Sequence, residues 1–90
     1  MIYYRPGFER RYRKLRPSQQ SRVDSAVARF AEKLGRPHEH GGLGLRAFGR
    51  YLEFRAGLEL RILALPESGD FFLMFVGTHD ELRAYVRQNP

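Results

Sequence analysis

The sequence predicts an α+β fold: an antiparallel sheet, two N-terminal helices packed on one of its faces, and a short C-terminal helix. Three observations predict it. Apolar residues recur at helical spacing between Phe8 and Leu34, the period changes to two from Tyr51 onward, and turn residues then recur at hairpin-length intervals. With 90 residues the chain is expected to form one domain, residues 1–90. Its 42% hydrophobic content, with 7 Phe and 5 Tyr, is enough for a packed core and argues against wholesale disorder.

Ile2 to Tyr4 is short, apolar and aromatic, a first strand that Pro6-Gly7 punctuates. Phe8, Tyr12 and Leu15 then fall at i, i+4 and i+7, with Glu9, Arg10, Arg11, Arg13, Lys14 and Arg16 between them as a basic outer face. Pro17-Ser18 opens a second helix whose stripe is Val23, Val27, Phe30 and Leu34. Gly35 and Pro37 stop it, and His38 to Gly44 reads as a loop. Tyr51, Glu53 and Arg55 alternate with Leu52, Phe54 and Ala56, a half-buried strand. After a turn at Gly57, Leu58 to Leu65 continues the alternation, with Leu58, Leu60, Ile62 and Ala64 on one side. Pro66 to Asp70 is another turn, and Phe71 to Val76 is apolar on both faces, as a central strand is. Leu82, Tyr85 and Val86 mark the short last helix, capped from the Thr78–Asp80 region. Short turns make the last three strands an antiparallel meander. With both long helices on one face, the other is expected to be bare and to carry the chemistry.

Charge narrows the partners. The net charge is +6 with a pI near 10.3. The excess lies wholly in the first half: ten basic against four acidic residues up to Leu45, then six against six. All but Lys14 and Lys33 of the basic residues are Arg, whose planar fork suits phosphate and carboxylate. A GC-rich genome would also favour arginine. Without Cys there is no disulfide framework, thiolate zinc site or thiol nucleophile. With no apolar run of membrane-spanning length and no signal-peptide pattern at the start, the chain reads as cytoplasmic and bacterial-like, without a membrane partner.

Two motifs carry little. Gly42-Leu43-Gly44-Leu45-Arg46-Ala47 has the letters of a dinucleotide fingerprint but precedes a strand instead of opening a helix. His38-Glu39-His40 lacks helical spacing and a third ligand, so a solvated loop is expected there, with no metal and no cofactor. The basic face of the first helix reads either as a solvated face or as a phosphate-tracking surface.

The sharper constellation lies in the second half. Arg61 stands between Leu60 and Ile62 in a middle strand, where an unpaired charge is expensive. Glu53 and Arg55 share a face of the preceding strand, His79 and Asp80 follow the apolar strand, and Tyr85 lies six residues beyond His79. Arg, His, Tyr and carboxylate suit phosphodiester chemistry: guanidinium neutralises a phosphorane, and imidazole or phenol moves protons. The same residues also read structurally, with Glu53 and Arg61 as a cross-strand pair and His79-Asp80 as a helix cap.

Leu45 through Tyr85 resembles the RelE/ParE superfamily of toxin–antitoxin toxins. Leu45-Arg46-Ala47-Phe48-Gly49 and Tyr51-Leu52-Glu53-Phe54-Arg55 resemble the family's leucine–basic–glycine segment and its aromatic-x-Glu-x-Arg strand. Leu60-Arg61-Ile62-Leu63 resembles its Tyr-Arg-Leu/Ile strand. Val76-Gly77-Thr78-His79-Asp80-Glu81-Leu82 resembles the ending of the YafQ-like branch. The resemblance implies a βααβββ fold and a ribosome-dependent endoribonuclease that cuts mRNA by metal-independent 2′-OH attack, neutralised by an acidic antitoxin. It implies Arg61 as transition-state stabiliser, His79 as general acid or base and Tyr85 as the residue that activates the 2′-OH or orients RNA. Glu53 and Arg55 are orienting neighbours, and Arg11, Lys14, Arg46, Arg50 and Arg83 are expected to engage RNA phosphates. Leu52 and Phe54 stand where RelE carries lysines. That departure keeps a second expectation open, a ParE-like gyrase inhibitor or an inactive antitoxin-binding module on the same fold.

Overall fold

A computed structural model describes residues 1–34 and 44–90. The sequence from Gly35 to Leu43, with the helix stop and the His38-Glu39-His40 motif, lies outside the described residues. The elements run β1 (Ile2–Tyr4), α1 (Pro6–Arg13), α2 (Pro17–Lys33), β2 (Arg46–Phe48), β3 (Tyr51–Ala56), β4 (Leu60–Glu67), β5 (Asp70–Gly77) and α3 (His79–Gln88). Proline opens both α1 and α2, where a missing N–H costs nothing. Gln19 Oε1 accepts from the Arg16 N–H at 3.0 Å, which caps the start of α2. Leu34 ends that helix as its C-cap and is 38% exposed, so the apolar stripe closes at Phe30.

The five strands lie in the order β1-β5-β4-β3-β2. β3, β4 and β5 form the expected antiparallel meander, and the two helices lie on one face. Three features differ from the expectation. The sheet is mixed, because β1 pairs parallel with β5, Ile2 opposite Phe71 and Tyr4 opposite Leu73. Arg46–Phe48 forms an extra edge strand, antiparallel to β3 with Arg46 opposite Glu53. The face away from the long helices is not bare: α3 lies on it, and Leu82 packs there with Tyr51, Leu63 and Phe75.

The main core fills the other face. Phe8, Val23, Ala26, Val27 and Phe30 pack on Phe54, Ala56, Leu60, Ile62, Ala64, Leu73 and Val76, all buried. Phe30 anchors it, with its ring stacked 4.5 Å from Phe54 and edge-on 5.3 Å from Phe71. Between Leu63 and Ala64 the register shifts: Phe75 stands opposite Leu63 and Leu73 opposite Ala64, leaving Met74 as the extra residue of a bulge. The hairpin from β3 to β4 turns at Gly57, whose φ of +78° is ready for glycine and costly for any other residue. No described helix is long and apolar enough to cross a membrane.

Candidate functional site

The alternation of β3 and β4 sends Glu53, Arg55 and Arg61 to the α3 side of the sheet, and the pairing of β2 adds Arg46. Glu53 is fully buried, and its Oε1 accepts from Arg61 Nη1 at 2.9 Å and lies 3.3 Å from Arg46 Nε. Its other carboxylate oxygen, also buried, has no hydrogen-bond partner among the described residues. Arg55 stands directly across from Arg61. Among the described residues, one carboxylate therefore stands among three arginines, so these groups together keep a net positive charge. The Arg61 side chain is 22% exposed and is held through Nη1 by the Glu53 carboxylate. The cross-strand pair and the anion-binding arrangement are thus the same object: a buried acid fixes the arginine, and the surplus of arginines makes the spot attractive to an anion.

Arg61 pairs in register with Gly77, two residues before His79, so the strand arginine and the first residue of α3 belong to the same end of the sheet. Thr78 caps α3, not His79 or Asp80: its hydroxyl accepts from the Glu81 N–H at 3.2 Å, and the Glu81 carboxylate accepts from the Thr78 N–H at 2.9 Å. That backbone bond, more than the nearby Arg11 guanidinium, holds the Glu81 carboxyl below its usual range. His79 Nε2 lies 3.2 Å from Arg83 Nη1, one helical turn on, while its Nδ1 is shielded from solvent with no hydrogen-bond partner among the described residues.

Tyr85 belongs to a second cluster. Its ring stacks on Phe75 at 4.8 Å and meets Tyr51 edge-on at 6.5 Å. Burial, with a smaller contribution from Tyr51, raises its phenol above the usual range. Six residues of helix put it about 9 Å along the axis from His79. Arg50 lies over Tyr51, 5.0 Å from the ring centre, and donates to its hydroxyl at 3.1 Å; that hydroxyl in turn donates to the Asn89 carbonyl.

Arg11 is held by internal contacts. Its Nε donates to the Val76 carbonyl at 2.6 Å, its Nη2 pairs with Glu81 at 3.0 Å, and its guanidinium lies 4.3 Å above the Phe75 ring. Lys14 joins Arg5 and Arg10 along a cleft floored by Phe75 and Tyr85. The predicted residues thus fall into an arginine–glutamate cluster (Arg46, Glu53, Arg55, Arg61), the His79–Arg83 pair, and an aromatic group about Tyr51, Phe75 and Tyr85 that Arg11, Lys14 and Arg50 border. Among the described residues, no hydrogen bond or ion pair joins Arg61, His79 and Tyr85 to one another. Sequence reasoning missed Tyr51, Phe75 and Glu81. For Tyr51 the signal was present, because it shares the face of Glu53 and Arg55; Phe75 was hidden in a strand apolar on both sides.

No protein-family profile matches the chain, and no curated protein matches it. Among solved structures, it resembles a copper-bound mutant toxin from Helicobacter pylori, with a TM-score of 0.63 and 15% identity over 90% of this chain and 96% of that one. The two share a fold.

Proposed function

We propose that this chain is an endoribonuclease toxin of a toxin–antitoxin pair, acting on mRNA in the ribosome. The observation that carries the reading is the arginine cluster seated on buried Glu53, on a fold shared with a bacterial toxin. In this reading a scissile phosphate docks on the exposed part of the Arg61 side chain, with Arg46 and Arg55 beside it. His79 takes the proton of the 2′-OH, the 2′-oxygen bonds to phosphorus, and the 5′-oxygen leaves with a proton from solvent. Arg61 neutralises the extra charge of the phosphorane, a contribution of about 10²–10³-fold in rate for one such donor. Tyr85 keeps its proton at neutral pH and stands a helical stretch from His79. It acts as a donor and stacking surface for a neighbouring nucleotide, not as the base. Arg11, through its hold on α3, positions that helix, while Lys14, Arg50 and Arg83 meet backbone phosphates. The ribosome supplies substrate alignment, and an acidic antitoxin covers the basic face.

Induced expression is expected to stop growth and translation, with mRNA cut inside ribosomes, and Arg61→Ala and His79→Ala each relieve the arrest. Full toxicity in both variants overturns the mechanism. The separation of Arg61, His79 and Tyr85 into different clusters favours a second reading, a non-nuclease member of the same fold. Growth arrest with DNA-damage signalling and intact mRNA identifies a gyrase inhibitor; no arrest identifies a module that only binds its antitoxin.

A further inference from the structure

On the long-helix side of the sheet, the end of β1, α1 and α2 line an open pocket of about 430 Å³. Tyr4, Phe8 and Tyr12 form its walls, and Glu9, Asp24 and Arg13 complete its lining, two carboxylates to one guanidinium. Tyr4 and Phe8 meet at 59° with centres 5.6 Å apart, while Phe8 and Tyr12 lie nearly parallel at 6.3 Å, so the rings line a concave wall. Tyr12 donates to Asp24 at 2.8 Å, which fixes one carboxylate oxygen at the rim and leaves the other to a ligand. Among the described residues, neither Glu9 nor Asp24 has a basic group within ion-pair distance. The field of Asp24 reaches the walls: its hydrogen bond raises the Tyr12 phenol, and after burial its charge is what raises that of Tyr4. Aromatic faces beside carboxylates, on a chain of net charge +6, select a cation.

We infer that this pocket receives the basic tip of an arginine or lysine side chain from a partner protein. The guanidinium or ammonium group lies against Tyr4 and Tyr12 and pairs with the free oxygen of Asp24, with Glu9 as second anion. The site is on the opposite side of the sheet from the Arg61 cluster, so it is independent of the nuclease reading.

The test is titration of the isotopically labelled full chain with blocked arginine (N-acetyl-arginine-N-methylamide), followed by NMR. Blocked norleucine and blocked glutamate serve as controls. Blocked arginine is expected to give saturable shifts at Tyr4, Phe8, Tyr12 and Asp24, with affinity at least tenfold weaker for Asp24→Asn and for Tyr4→Leu. The amide oxygen introduced by Asp24→Asn still accepts from Tyr12, so that variant keeps the local fold, and unchanged remote resonances check both. Shifts that fail to saturate, that norleucine reproduces, or that survive Asp24→Asn overturn the inference. So does concentration-dependent shifting of the same residues without added arginine, which assigns the pocket to a second copy of this chain.

Discussion

The two faces of the sheet divide the labour. Under α1 and α2 the buried cluster is apolar, large and continuous, and no strand residue in it carries a charge. Under α3 the apolar part shrinks to Tyr51, Leu63, Phe75 and Leu82, and the rest of the face goes to one buried acid and its arginines. A face without polar groups can be packed for stability alone. The opposite face gives up part of that stability to hold charges at fixed positions, which is the condition for binding an anion.

The comparison can be broken by mutation. Phe30→Ala, which empties the centre of the main core, is expected to lower stability by about 3–5 kcal/mol, read as a shift in urea midpoint. Arg61→Ala leaves the Glu53 carboxylate short of a partner and is expected to cost about 1–3 kcal/mol. The pair Glu53→Met with Arg61→Met is expected to recover most of that loss while toxicity stays absent. Recovery of toxicity along with stability would show that the cluster is structural only.

Weaker effects sharpen the contrast at the ends of α3. Thr78→Ala removes the cap and is expected to cost about 1 kcal/mol. Tyr51→Phe frees the Asn89 carbonyl and is expected to cost about 1 kcal/mol, with faster amide exchange in the last turn of α3. Glu81 has a depressed folded value, so its contribution is fully present above the ordinary glutamate range, about pH 4.3, and fades as pH falls through the lower folded value. Denaturation followed from about pH 6 to about pH 3 is expected to show that loss, and Glu81→Gln to flatten it. The smallest effect belongs to Leu58, 98% exposed in the β3–β4 turn, where Leu58→Ser is expected to stay within about 0.5 kcal/mol.

The local parts of this architecture were legible in the sequence. Strict alternation placed Glu53, Arg55 and Arg61 on one face, and the spacing of Val23, Val27 and Phe30 found the buried side of α2. What escaped depends on contacts that no local pattern encodes. β2 has only three residues and no alternation long enough to register. The parallel pairing of Ile2 with Phe71 joins residues too distant for a periodic signal. The docking of α3 on the second face depends on Leu82 meeting Leu63 and Phe75, and on Arg11 bridging to Val76 and Glu81. Tyr85 was found as a residue but not in its setting, because its neighbours Phe75 and Tyr51 come from two other elements.

The parallel ribbon between β1 and β5 has a consequence for how the molecule comes into being. Among the described residues, the first strand has no sheet partner until residues 70–77 have been made. Closure of the sheet therefore waits on joining stretches distant in sequence, which is slow compared with local helix formation.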